Sequence, residues 1–358
     1  MADPARVGAP PSRSRIWLRR AAFSLAGLAM AAAMLWVLIT PESAAAMRSA
    51  VRGASHIWFL AALALMPLIQ TIRAARFGRL LFGSDRRRPG LWAVTTTLLA
   101  VNTILPFKLG EASFPVMTRR LYDVPLADGT GVILFARFLD LAATLTLLGL
   151  AVMLADIDTG IGIPRWLSIA AVSLTATLSL APFALVPAAP PNTPPAAQAG
   201  RLPSRLKTIL ADITRLHTRI TNARTAGAIV VSSYGIWVLH ALAAMCAVEA
   251  VDATLRVHIN AGTSAAAGLV TNIAFALPIT GVAGLGAPQA AWVALARLAD
   301  IPMADAVVGA FAYTAVTLTA TAVLGATGAT LLSWRLARQP AHRRDADGNG
   351  IPPRPDRR

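Results

Sequence analysis

Lys108 and Glu111 stand in the middle of an apolar stretch. It begins at Leu91 and is interrupted by Asn102 and by Leu105-Pro106-Phe107-Lys108-Leu109-Gly110-Glu111. An ammonium and a carboxylate beside Pro106 and Gly110 are suited to holding a polar group, because freed backbone groups and half-helix ends add their own partial charges. Ionisable side chains buried among apolar residues are costly to desolvate, so they tend to face a cavity and mark a pathway. The competing account is a mutually neutralising pair that closes a hairpin. A second stretch, from Ala261, is broken in the same manner by Asn272, Leu277-Pro278, Gly281 and Gly284-Leu285-Gly286-Ala287-Pro288-Gln289. Each break carries an Asn, then Leu-Pro, then glycines ending in Glu or Gln. In lipid a helix broken by Pro and Gly persists only where its freed backbone faces protein or a polar cavity.

The candidate binding residues follow from these breaks. In the first they are Asn102, Pro106, Lys108, Gly110 and Glu111; in the second, Asn272, Pro278, Gly286 and Gln289. Asn102 and Asn272 are suited to capping or bridging the broken helices. Arg137 and Asp140 join the set because an i,i+3 spacing lets opposite charges meet on one helix face. They form either a structural ion pair or a device that orients the hairpin. Arg73 and Arg76 read as topology signals rather than ligands. His240 is isolated in an apolar segment, without a second metal ligand at suitable spacing, and reads as a hydrogen-bonded core histidine. Cys246 is the sole cysteine, so no intrachain disulfide can form, and it reads as a small packed side chain.

No zinc motif, Walker loop or nucleophile elbow is visible, and no cofactor is expected. Gly284-Leu285-Gly286 does not follow a strand and so fails the context of a dinucleotide loop. Asp345, Asp347, Asn349, Gly350 and Asp356 imitate a calcium loop. However, Pro352, Pro353 and Pro355 forbid its exiting helix, and the segment reads as a disordered tail.

The elements that position these residues are membrane spans. The 358 residues are 56% hydrophobic and 14% charged. Runs such as 21–39, 141–154 and 306–332 lack the polar face of a surface helix in a soluble domain. The net charge of +16 does not point to nucleic acid, because the basic residues sit in short segments between apolar runs. Arg15, Arg19 and Arg20 ahead of an apolar run imitate a secretion signal, but the run to Ile39 is longer than such signals use and predicts an uncleaved first helix.

With both termini in the cytoplasm, the expected spans are 21–39, 56–70, 129–154, 164–186, 226–248 and 303–334. The two broken segments would be re-entrant hairpins, one opening inward and one outward. Residues 187–225 form a Pro/Ala-rich and then basic linker, expected as a cytoplasmic amphipathic helix. This arrangement puts 26 Lys/Arg in cytoplasmic segments and four in external loops, with Lys108, Arg137 and Arg297 at or within the membrane. Trp17, Trp36, Trp58, Trp92, Trp166 and Trp334 fall near span ends, where amphipathic rings prefer to sit.

A shift of about 172 residues lays the helix at 56–70 on 226–248, the first break on the second, and 129–154 on 303–334. The two halves, 56–154 and 226–334, would enter from opposite sides, an inverted-topology repeat that favours a site near the midplane. The expected fold is therefore all-α: a polytopic integral membrane protein with about six spanning helices plus two re-entrant broken-helix hairpins. The membrane domain would span 21–334 between a basic cytoplasmic tail at 1–20 and a second at 335–358.

Arg73, Arg76, Asn102, Leu105-Pro106, Gly110-Glu111, Arg137 and Asp140, with Leu277-Pro278 and Gly284-Leu285-Gly286, resemble the lysylphosphatidylglycerol synthase transmembrane region, a flippase-like membrane family. The resemblance covers roughly 21–334. It implies a lipid-handling role in the bacterial cytoplasmic membrane. In the bifunctional synthases this region is associated with flipping aminoacylated phospholipid, and a soluble carboxy-terminal domain makes that lipid. Only 24 residues follow Trp334, so aminoacyl transfer is not carried over. The second motif commonly ends in Glu, whereas here Gln289 stands, which removes a charge from any two-carboxylate mechanism.

The leading expectation is a lipid translocase or lipid-binding transporter. Its partners would be membrane lipids, anionic or modified phospholipid or a hopanoid-related lipid. A separate lipid-modifying enzyme and self-association into a homo-oligomer are further expectations. The alternatives are a membrane transferase on a lipid-linked donor and an accessory subunit of lipid or hopanoid assembly. With no ATP motif, movement would need an ion gradient, a partner or downhill exchange.

Overall fold

A computed structural model describes residues 32–33, 36–83, 88, 90–105, 110–155, 165–184, 223–276 and 284–338. Ten α-helices carry them: α1 (Pro41–Gly53), α2 (His56–Phe82), α3 (Leu91–Ile104), α4 (Ser113–Tyr122), α5 (Leu126–Leu154), α6 (Arg165–Ala184), α7 (Ala223–Glu249), α8 (Ala261–Ala276), α9 (Ala287–Leu298) and α10 (Met303–Ala337). Among the described residues there is no strand. The helices beginning at His56, Leu126, Ala223 and Met303 are long and apolar enough to cross a membrane, and α3, α8 and the Ser168–Leu180 part of α6 are shorter and apolar. The protein is an all-α, multi-pass membrane protein. Large apolar side chains such as Leu60, Leu134, Leu154, Val231 and Val323 point off the bundle, as lipid-facing positions do. Residues 187–222 of the linker, the tails at 1–20 and 339–358, and Pro106, Lys108 and Pro278 at the breaks lie outside the described residues, as does most of the first expected span, helical at 32–33 and 36–38.

Two expectations are corrected. The helix expected to stop at Gln70 continues to Phe82, because no residue after Pro67 breaks it until Gly83 adopts φ 63° and caps Arg79. Arg73 and Arg76 therefore ride on the same long apolar helix and not in a loop after it. The segment expected as an external loop with Arg48 and Arg52 is the helix α1. Thr40 starts it: its Oγ1 accepts from the Ser43 N–H at 3.2 Å, while the Ser43 Oγ accepts from the Thr40 N–H at 2.8 Å.

The packing is reciprocal. α2 lies along α7; α3 packs on α10 as α8 packs on α5; α2 meets α3 as α7 meets α8; and α4 rests on α5 as α9 rests on α10. One buried cluster, around Ile236, Trp237, Leu269, Trp292 and Tyr313, sits among α7, α8, α9 and α10. A second, around Phe77, Leu80, Phe114 and Leu139, fills the space among α2, α4 and α5.

In lipid, burial of apolar surface does not drive helices together, so close contact between small residues must do more of the work. The α3–α10 contact shows how close. A Cβ at Gly328 would overlap the Thr96 hydroxyl and lie 3.0 Å from the Ala93 carbonyl, and one at Gly325 would overlap Ala100. A Cβ at Gly227 of α7 would meet open space. Gly328→Ala is expected to destabilise the protein by about 1–3 kcal/mol through overpacking, read as a lower thermal midpoint in detergent. Gly227→Ala should leave that midpoint unchanged or raise it slightly.

Candidate functional site

Three spanning helices bring charge into the interior by periodicity alone. Gln70, Arg73 and Arg76 recur at i, i+3, i+6 on α2; Arg137 and Asp140 at i, i+3 on α5; Ser233, Trp237 and His240 at i, i+4, i+7 on α7. Arg76 is fully buried and binds Asp140 through both terminal nitrogens, at 2.6 and 3.1 Å. It also donates to the Ser233 hydroxyl at 2.9 Å, and the indole N–H of Trp237 donates to Asp140 at 3.1 Å. The fork of a guanidinium matches a carboxylate in a way a single ammonium would not.

The expected pairing of Arg137 with Asp140 is thus overturned. Arg76, from another helix, takes the aspartate, and Arg137 instead pairs with Glu111 at 2.6 Å. Physically, Asp140 is buried and needs several donors, which Arg76 and Trp237 supply. Arg137 and Glu111 are both partly exposed at the end of the first break. Arg76 is correspondingly a structural partner and not a topology signal.

This network walls a cavity of about 90 Å³ lined by Arg73, Arg137, Asp140, Asn102, His240 and Asn272 among others. Three guanidiniums stand at it; one is paired to the lining carboxylate, Asp140, and another, Arg137, to Glu111 beside the cavity. Arg73 makes no hydrogen bond or ion pair among the described residues, so one cation is left facing the space. The Oδ1 of Asn102, a buried side chain, also has no hydrogen-bond partner among the described residues. Gly110 is needed beside it, because a Cβ there would lie 2.5 Å from that oxygen and 2.7 Å from the Asn102 nitrogen.

A second cavity of about 80 Å³ adjoins the first, and Leu99, His240, Asn272 and Phe275 line both. Here Asn272 bridges the Gly268 carbonyl and the Tyr313 hydroxyl, at 2.8 and 3.0 Å, and His240 Nδ1 lies 3.2 Å from that hydroxyl. His240 is a buried, hydrogen-bonded histidine. Gln289 accepts from the Gly286 N–H at 2.7 Å and donates to the Thr314 hydroxyl at 2.9 Å. Thr314 is the twelfth residue of α10, as Arg137 is the twelfth of α5. The Gln289–Thr314 hydrogen bond therefore stands where the first half has the Glu111–Arg137 ion pair.

Of the candidate residues, Asn102, Arg137, Asp140 and Asn272 line the first cavity, with Glu111 attached through Arg137. Asn272 and Gln289 line the second. Gly110 and Gly286 act through Asn102 and Gln289. Sequence reasoning missed Gln70, Ser233, Trp237 and Thr314, and misread Arg73 and Arg76. The periodicity of α2 through Arg76 was the signal available. Among the described residues no cluster of three or more His, Cys, Asp or Glu is placed to hold a metal.

Because removing one partner of a buried pair strands the other, Asp140→Leu alone is expected to cost about 3–5 kcal/mol. The double variant Arg76→Met/Asp140→Leu should recover most of that loss. Thermal unfolding in detergent, run as a double-mutant cycle, measures both.

A family model described as the lysylphosphatidylglycerol synthase TM region matches residues 24–325, which takes in every helix from α1 to α9 and most of α10. No curated protein and no solved structure gives a significant match. With the greater part of its length matched, including both cavities and the helices that wall them, the chain belongs to the family of the lysylphosphatidylglycerol synthase transmembrane region.

Proposed function

We propose that this chain is a lipid translocase or lipid-binding transporter of the bacterial cytoplasmic membrane, with the headgroup held between the two broken segments. Family membership and the apolar spans support a lipid-related membrane role. The single observation that carries the finer reading is Arg73, a guanidinium facing a cavity whose one carboxylate, Asp140, is already paired to Arg76, while Arg137 is paired to Glu111 beside it. A cation left in such a place is compensated when an anion arrives, and the phosphate of a lipid headgroup is an anion that every phospholipid membrane supplies. Asn102, with its unpaired oxygen, adds an acceptor for a donor on the same headgroup. Acyl chains would stay in lipid.

The reciprocal packing supports an inverted-topology repeat in which α3–α4 and α8–α9 are re-entrant and open to opposite faces, with both termini in the cytoplasm. The charge distribution of the flanking segments agrees with that orientation.

Two measurements test this reading. In proteoliposomes carrying labelled phosphatidylglycerol, the wild type should exchange lipid between leaflets faster than protein-free vesicles. Arg73→Gln should slow that exchange about tenfold, the worth of one charge-assisted hydrogen bond. Glu111→Ala and Lys108→Ala extend the comparison to the first break. Exchange at the protein-free rate for the wild type, across several headgroups, would remove the translocase reading. For topology, single cysteines at Ala112 and Leu285 in a Cys246→Ser background should react with an impermeant maleimide from inside and outside respectively. Labelling of both from one face would refute the inverted arrangement.

A further inference from the structure

The two cavities differ in chemistry in a way that the charged one alone does not explain. The wall around Arg73 holds three guanidiniums and a carboxylate, whereas the second cavity, largely apolar, takes its polar lining from amides, hydroxyls and the His240 ring and carries no acid or arginine. At the place where a half-related ion pair would bring Glu and Arg, it has Gln289 and Thr314.

Several of its hydroxyl protons are already committed. Thr271 donates to Ala267 and Pro288 carbonyls, Thr314 to the Ala310 carbonyl and Thr317 to the Thr314 carbonyl. What these groups have left to offer are acceptor lone pairs. Gln70, 2% exposed and on the cavity wall, adds an Oε1 with no hydrogen-bond partner among the described residues. A buried carbonyl left so costs stability unless a donor reaches it.

We propose that this second cavity is a subsite for the uncharged, hydroxyl-rich part of a headgroup, a polyol or sugar. The phosphate of the same lipid would lie against Arg73 in the adjoining cavity. The proposal rests on the lipid-binding reading above and adds the class of headgroup. Hydroxyl groups supply the donors that Gln70 and the threonine oxygens lack, and they ask for no counter-charge. An ammonium would also donate, but its desolvation among neutral acceptors goes uncompensated where Gln289 replaces an acid. The shared wall of Leu99, His240, Asn272 and Phe275 lets one headgroup reach both spaces.

The test compares three acyl-labelled lipids in proteoliposomes: phosphatidylinositol, phosphatidic acid, which has the phosphate and nothing beyond it, and lysyl-phosphatidylglycerol, which is cationic. The wild type should exchange phosphatidylinositol about fivefold faster than phosphatidic acid, the effect of one to two neutral hydrogen bonds, and faster than the cationic lipid. Gln70→Leu should erase that preference, bringing the phosphatidylinositol rate down to that of phosphatidic acid measured in the same variant. Thr317→Val supplies the same comparison if Gln70→Leu lowers the thermal midpoint.

Equal rates for phosphatidylinositol and phosphatidic acid, faster exchange of the cationic lipid, or a proportional loss for all lipids in both variants would overturn the subsite. If no lipid exchanges above protein-free vesicles, translocation fails and the subsite is decided separately. Native mass spectrometry of the detergent-purified protein with the same lipids should then show phosphatidylinositol bound about fivefold over phosphatidic acid, a ratio lost in Gln70→Leu. Equal binding would refute it.

Discussion

Everything else in this bundle is arranged around one buried ion pair. Arg76 and Asp140 are both withdrawn from solvent, and the guanidinium fork, the Ser233 hydroxyl and the Trp237 indole satisfy their charged atoms save the Arg76 Nε, which has no hydrogen-bond partner among the described residues. Three helices contribute, so the pair fixes not only their separation but their rotation. With Arg76 pinned to Asp140, the residues one turn away on each helix, Arg73, Arg137 and His240, are obliged to face the same space. The cavity is in that sense a by-product of a structural contact, and its charge pattern is set by which arginine that contact consumes.

The two halves meet the problem of broken helices by different chemical means. In the first, glycine lets the chain fold back onto Asn102, and an ion pair from Glu111 to Arg137 ties the returning segment to α5. In the second, Gly284 takes φ 68° against the Phe275 ring, and the return is tied by a neutral amide–hydroxyl contact to α10. The geometry is conserved between the halves while the electrostatics is not. A neutral tie avoids the desolvation of two charges and is also weaker in a low dielectric, so the second break is held less by electrostatics than by the packing of Trp292 on Tyr313.

Much of the architecture could be read from residues alone. Apolar runs of sufficient length, punctuated by Arg-rich segments and two Pro/Gly breaks, specify a polytopic helical membrane protein because lipid leaves the backbone few alternatives. The pairing of charges could not be read. Asp140 has Arg137 three residues away, yet its partner is Arg76, separated by 64 residues, since rotation of α2 against α5 is a tertiary fact. The same blindness ended the helix before Arg73 and Arg76: an arginine after an apolar run reads equally as a flank or as the last turns of a longer helix. Gln289 was identified as a lost charge from its motif, but that Thr314 answers it follows only from the packing of α9 on α10. Amphipathic α1 was hidden for another reason, its Thr40–Ser43 cap lying in a short polar stretch that resembled a loop.

That helix has a mechanical meaning. α1 lies on α10 and against the turn Asp252–Thr254, its Glu42 reaches Arg256, and Ser55 at its far side donates to the Ala250 carbonyl at the end of α7. The chain leading into the first half is thus moored to the second, with only Ala54 and Ser55 between α1 and α2. That two-residue joint is a short covalent tether, so the start of α2 cannot move far from helices of the other half, and α1 is a passenger of the half it does not belong to.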